Sequence, residues 1–229
     1  MNVTYTFMTA VQPPTTPPHL GGHYGGTAMP LATLDYIFEK YNIKSVIDIG
    51  CGPGGTVEYA NYKGIYSIGI DGDPAVQGPD YIKYHDYTLG ELPIDMYFDL
   101  AYSTEFLEHV EEKYIPYYIT TFQKAQYVLC TGAFPGQGGH HHVNEQESQY
   151  WIDKFTQYGF TFLPDDLELI RQTSNDKLIN RNGLFFKNNK TITSTTTKPF
   201  AVDYEKLKAA ANHHYDANGK DVVGYERWK

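Results

Sequence analysis

The chain has only two cysteines in 229 residues, Cys51 and Cys130. That is too few for a disulfide framework, and they lie in segments that read as a buried loop and a buried strand, so they read as small buried residues of a reducing compartment. No apolar run reaches membrane-spanning length, and the first residues carry no signal-peptide core. The expectation is a cytoplasmic protein without a membrane partner. Basic residues are also scarce: 18 Lys and Arg stand against 27 Asp and Glu, a formal net charge of −9. No basic stripe offers a phosphate footprint, which argues against a nucleic-acid partner and for a small-molecule ligand.

What is present is alternation. With 41% hydrophobic content the chain can bury one full-sized core. Residues 1–18, with Pro13, Pro14, Pro17 and Pro18 and no helical period, read as an extended N-terminal arm. Residues 19–189 read as one domain. Leu31, Leu34, Ile37 and Phe38 make a helical face over 31–41. Strand-like runs follow at 45–49, 65–70, 81–87, 98–103 and 127–133. Between them lie a helical stretch at 105–125, broken or kinked by Pro116, and an amphipathic helix at 146–160 closed by Gly159. FTFLP (160–164) and GLFFKNN (183–189) read as a terminal hairpin-type pair. Strands alternating with helices predict an α/β fold: Rossmann-like, doubly wound, a mostly parallel seven-stranded sheet with helices on both faces. Residues 190–229 read as a Thr-rich linker and a C-terminal helix or tail, in which His213–His214 have no partner pattern.

The densest signal is SVIDIGCGPGGTVEYA, residues 45–60. An apolar run (Val46, Ile47, Ile49) ends in a glycine-rich turn, and a helical pattern begins directly after it. That is the strand–loop–helix opening of a nucleotide-binding unit. Gly50, Gly52 and Gly55 satisfy GxGxxG, so NAD is a candidate on spacing alone. Asp48 argues against it, because a pyrophosphate there would meet a carboxylate. S-adenosylmethionine carries an ammonium group and no phosphate, so the methyl donor is favoured. Pro53 suits the first turn of the next helix, whose free N–H groups can take the donor's carboxylate. Asp71 is placed for the ribose hydroxyls and Asp86 for the adenine amino group. Tyr24, in the glycine-rich HLGGHYGGT, is expected to close over the cofactor. These strand ends, with residues 103–105, fall on one edge of an open sheet.

Two further constellations carry chemistry. Glu105, Glu108 and His109 stand at i, i+3 and i+4, which is one face if the segment is helical. Two carboxylates and an imidazole can ligate Mg²⁺ or Zn²⁺. Alternatively His109 is a general base, or a buried hydrogen-bonded histidine near a helix cap. GQGGHHHVNEQ (136–146) follows the fifth strand. Neighbouring side chains diverge, so one histidine, His142, is expected to point into the pocket, with Asn144 and Glu145 fixing the substrate or the loop. His142 and His109 are the candidate bases, Glu105 their partner, and a histidine base fits an alcohol or phenol acceptor.

Together these residues resemble the class I S-adenosylmethionine-dependent methyltransferases, from about His19 to Asn188. VIDIGCGPGG is similar to that family's first motif and GIDGD to its acidic-loop motif. The resemblance implies that Asp48, Gly50, Gly52 and Gly54 line the methionine end, Asp71 the ribose and Asp86 the adenine. Cys51, Gly72, Tyr87 and Ser103 are expected among the cofactor-binding residues as well. STEFLEHV is similar to the ExxEH segment of ubiquinone-biosynthesis O-methyltransferases, which implies Glu105, Glu108 and His109 as metal ligands. PGQGGHHHVNEQESQYWIDKF resembles the PGQGG-x-x-HVNEQ-x-x-x-YW segment of a methyltransferase subgroup of bacteria and their viruses. His142, Asn144 and Glu145 fall on its shared positions. That loop departs from the ubiquinone enzymes, which argues against a quinone substrate. The expectation is an enzyme that O-methylates a small-molecule acceptor and releases S-adenosylhomocysteine, with a length that permits a homodimer. A nucleic-acid (cap or base) methyltransferase is the alternative, though no NPPY-type segment follows strand four. A non-catalytic cofactor-binding protein is the third reading.

Overall fold

A computed structural model describes residues 19–202 except 21, 22, 24–26, 28, 77 and 175. The expected N-terminal arm, Tyr24 and the C-terminal helix with His213–His214 lie outside the described residues.

Apolar strands with few charges form a sheet that must be covered on both sides. β1 (Ser45–Ile49), β2 (Tyr66–Asp71), β3 (Ile82–Tyr84), β4 (Phe98–Ser103) and β5 (Ala125–Thr131) run parallel. β7 (Gly183–Asn188) lies antiparallel between β5 and β6 (Phe160–Phe162), giving the order β3-β2-β1-β4-β5-β7-β6. The expected mostly parallel seven-stranded sheet is the one that forms.

Alternate strand residues go to opposite faces. Val46, Leu100, Leu129 and Phe185 pack with Leu34 and Ile37 of α1 (Leu31–Lys40) and Tyr59 of α2 (Gly55–Tyr62). Ile170 of α5 (Pro164–Thr173) and Ile179 of α6 (Lys177–Asn182) complete that face. Their neighbours Ile47, Ala101, Val128 and Phe186 meet Tyr118 and Phe122 of α3 (Ile115–Phe122) and Trp151 and Phe155 of α4 (Ser148–Gln157). The chain runs outward from β1 through β2 to β3, then returns to place β4 on the other side of β1. The crevice at the carboxyl ends of β1 and β4 is therefore the switch point where an open α/β sheet binds ligands.

Some elements differ from expectation. Residues 105–125 are not one helix broken at Pro116. Two 3-10 turns (Leu107–His109 and Glu112–Tyr114) come first, and Pro116 sits in the first turn of α3, where its missing N–H costs nothing. Glu105 has φ +53°, outside the right-handed helical region, so Glu105, Glu108 and His109 do not share a helix face. β3 covers three residues rather than 81–87, because Asp86 leaves the ladder to cap a 3-10 turn, its Oδ1 accepting the Thr88 N–H at 2.8 Å. β6 and β7 pair antiparallel, but α5 and α6 connect them instead of a tight turn. Residues 191–200 have no regular structure yet lie against the domain. Tyr97 and Thr195 exchange hydrogen bonds, and the Phe200 ring stacks on Tyr66 at 5.6 Å.

Asp176 caps α6, its Oδ1 accepting the N–H groups of Leu178 (2.8 Å) and Ile179 (3.0 Å). Replacing it with alanine orphans both donors, and Asp176→Ala is expected to lower the unfolding free energy by about 1 kcal/mol in urea titration.

Candidate functional site

The glycine loop between β1 and α2 is built by backbone that only glycine adopts easily. Gly50, Gly52 and Gly54 have φ of +74°, +51° and +88°. A Cβ at Gly50 would lie 2.7 Å from the Phe106 ring. Phe106 is adjacent to Glu105, so the end of β4 lies directly beside the loop. Asp71 holds the loop from the end of β2: its Oδ2 accepts the Gly52 N–H at 2.7 Å and its Oδ1 the Asp73 N–H at 2.8 Å.

The loop is electronegative. Asp48 is 2% exposed; burial, with the like charge of Asp71, pushes its carboxyl well above the usual carboxylate range. Burial also raises Asp71, partly offset by the Asp73 and Gly52 N–H groups. Two crowded carboxyls of this kind are stabilised in their ionised form by a cation between or beside them. At Asp86, burial works upward, but the bonds from His19 and Thr88 win and hold it below the usual range.

The other residues expected at the cofactor take varied positions. Gly72 lies at the end of β2, with Leu20 against it. Cys51 is buried, its thiol directed at the Gly52 carbonyl and its side chain against Gly69. The Ser103 hydroxyl donates to the Ile49 carbonyl at 2.8 Å and is fully buried, so it ties β4 to β1. Tyr87 is buried, with its hydroxyl on Thr121 and its ring edge-on to Phe106 and Tyr118. The Gly55 N–H at the start of α2 meets the Thr27 hydroxyl at 3.2 Å.

A second cluster adjoins the loop. One ligand atom each from Glu108, His109 and His142 lies within 4.8 Å of the others. Glu108 is fully buried, and neither of its carboxylate oxygens has a hydrogen bond of ordinary geometry among the described residues, though the Glu105 carboxyl and the Ala133 backbone lie against them. Glu105 Oε1 is unpartnered as well. Such orphaned carboxylates are expensive unless a cation completes them. Burial and the like charge of Glu105 push Glu108 well up, and burial raises Glu105. Burial, then the neighbouring His142, pushes His109 down to about 4, so it is neutral at pH 7 and has a free nitrogen lone pair. The rings of His109 and His142 meet edge-on at 4.9 Å.

His142 arrives from the loop after β5. Glu145 staples that loop, accepting the N–H groups of Gly136 (2.7 Å) and Gly138 (2.6 Å) and the His142 Nδ1 at 2.9 Å. The Val143 and Asn144 N–H groups donate to the Glu108 carbonyl. A carboxylate on Nδ1 leaves Nε2 as the coordinating atom, the usual support behind a metal-bound histidine. His142 was legible as a pocket residue but not as a partner of Glu108 and His109, since no sequence period links residues so far apart. Glu145 was read as fixing substrate or loop, and it fixes the loop.

Residues 47–132 match a family model described as a methyltransferase domain. No curated protein matches the chain. Among solved structures, the methyltransferase domain of bacterial CtHen1 is similar at 20% identity, with 70% of this chain and 97% of that chain covered and a TM-score of 0.48. An S-adenosylmethionine-dependent methyltransferase from Mesorhizobium loti is 17% identical over 64% of this chain and 91% of its own, with a TM-score of 0.45. Human N-acetylserotonin methyltransferase, in complex with its methyl donor, is 12% identical over 69% of this chain and 51% of its own, with a TM-score of 0.48. The matched residues are less than half of the chain, and they run from β1 through the glycine loop to β5. The acceptor has to be read from this chain's own residues. No helix among the described residues is long and apolar enough to cross a membrane.

Proposed function

We propose that the chain methylates a hydroxyl group of a small-molecule acceptor, with S-adenosylmethionine against the glycine loop and a divalent cation held by Glu108, His109 and His142. The observation that carries the reading is Glu108: a fully buried carboxylate without a hydrogen bond of ordinary geometry, with an oxygen within 4.8 Å of a ring nitrogen of His109 and of His142. Two imidazole donors suit Zn²⁺ or a similar transition ion better than Mg²⁺. Such an ion supplies a Lewis acid that lowers the proton affinity of an acceptor oxygen. S-adenosylmethionine supplies the methyl: the O–CH₃ bond forms as the S–CH₃ bond breaks, and S-adenosylhomocysteine leaves.

The protein's part is placement and charge. Holding two reactants in line can lower the barrier by ~7–11 kcal/mol. Asp48 faces the donor's cationic end, and Asp71 its ribose hydroxyls. Glu105, with Oε1 unpartnered and its carboxyl raised by burial, is positioned to take the acceptor's proton. His109, pushed down to about 4, is too weak a base for that task at pH 7 and serves as a ligand. The acidic balance supports a small acceptor over a nucleic acid.

The test is calorimetric titration with S-adenosylmethionine in two buffers of different ionisation enthalpy. Asp48 is raised in the free chain, and a cationic ligand favours its ionised form. Binding should therefore release protons, and affinity should rise with pH above the ordinary carboxylate range until Asp48 is ionised without ligand. Absence of binding at any pH would overturn the reading.

A further inference from the structure

His19, Leu20 and His23, ahead of α1, meet residues that follow β2 and β3 at the carboxyl edge of the sheet. His19 Nε2 donates to Asp86 Oδ2 at 3.0 Å, and the opposite oxygen of that carboxylate holds the Thr88 N–H. Leu20 Cδ2 lies 2.7 Å from where a Cβ of Gly72 would stand. Leu20 therefore fills the space left by a residue with no side chain. Its carbonyl accepts from His140 Nε2 at 3.1 Å, which ties the segment to the loop that carries His142. Further along, His23 Nε2 meets Asp73 Oδ2 at 3.1 Å, and Asp73 in turn donates its N–H to Asp71. Each of these contacts falls on a residue at the ribose–adenine end of the crevice or on a direct neighbour of one.

Resting on the methyl-donor reading above, we propose that His19 and Leu20 belong to the cofactor site. An adenine ring needs an apolar surface for its face and an acceptor for its amino edge. Gly72 offers no surface, and Leu20 brings one from a distant part of the chain. Asp86 is the acceptor. His19 is a positioning residue: by taking one lone pair of Oδ2 it fixes the carboxylate plane while leaving other lone pairs for the adenine amino group. The cofactor site is thus completed by a segment that also touches the acceptor loop.

The experiment compares S-adenosylhomocysteine and adenosine affinities of the full chain with those of Leu20→Ala, His19→Ala and His19→Gln, alongside the melting temperature of each ligand-free protein. Leu20→Ala and His19→Ala should each weaken both ligands by about 10-fold or more, the scale of one apolar contact or one charge-assisted bond. His19→Gln, which keeps an N–H donor, should recover most of the loss. Measured at a temperature where the melting curves show every variant fully folded, the loss of affinity reports the cofactor site, which a merely structural role would not move. If the wild-type chain binds neither ligand, the methyl-donor reading fails and the proposal with it. Binding by wild type with both alanine variants within about 2-fold, a shift below the value of one hydrogen bond, overturns the proposal alone. Tighter binding by the variants also overturns it, because the segment would then exclude the cofactor instead of completing its site.

Discussion

Glu108→Gln is expected to weaken Co²⁺ or Zn²⁺ binding by more than about 100-fold, since even the partners behind metal ligands are worth about 10–100-fold each. Glutamine keeps the size of the side chain and one carbonyl oxygen but loses the negative charge, and an amide is a poor ligand for these ions. Co²⁺ absorption gives a direct readout that needs no knowledge of the acceptor. S-adenosylmethionine affinity should stay near the wild-type value, because Asp48 and Asp71 are untouched. Stability supplies a control with a defined sign. Glu108 is raised in the folded state, so in the metal-free chain its burial costs stability as pH rises above the ordinary carboxylate range. The glutamine variant removes that cost. Metal-free Glu108→Gln should therefore resist urea at least as well as wild type near neutral pH, with a flatter pH profile. Equal Co²⁺ affinity in the two proteins would sink the cation site.

Asp71→Asn should cost S-adenosylmethionine binding on the order of 100-fold, because charge-assisted bonds of this kind are worth about 1.5–3 kcal/mol each. Asp71 accepts from Gly52 with one oxygen and from Asp73 with the other. An asparagine has one acceptor oxygen, so its NH₂ must face one of the two N–H donors. Whichever bond is lost, the loop's positive-φ turn loses an anchor, and the site loses the negative charge of its ribose-end carboxylate. Asp71→Ala should be no better. Calorimetry with S-adenosylhomocysteine, which lacks the sulfonium charge, separates the two contributions. A smaller loss for that ligand points to the charge, and an equal loss to the loop anchor. Wild-type affinity for S-adenosylmethionine in Asp71→Asn would rule out Asp71 as the anchor of the site.

Local pattern sufficed where the cause is local. β4 occupies the stretch FDLAYS read from its apolar run, and α4 ends before Gly159, whose φ of +90° is free for a residue without a side chain. The glycine loop was legible because left-handed backbone needs glycine whatever surrounds it. Periodicity misled at 105–109. The spacing of Glu105, Glu108 and His109 is that of a helix face, yet Glu105 is held at positive φ with its N–H on the Thr131 hydroxyl, and a 3-10 turn follows. Glu108 and His109 still meet near one point, where His142 from the loop after β5 joins them in the place expected of Glu105.

The amino-acid sequence by itself determined the strand–helix alternation, the glycine loop and the acidic ends of β1 and β2, since each follows from residue type and spacing within a short window. Only the tertiary structure decided that His142 joins Glu108 and His109, that β7 inserts between β5 and β6, and that Leu20 fills the space over Gly72. These are contacts between residues far apart in the chain. They are fixed by which surfaces the sheet order brings together, and no local preference encodes that order.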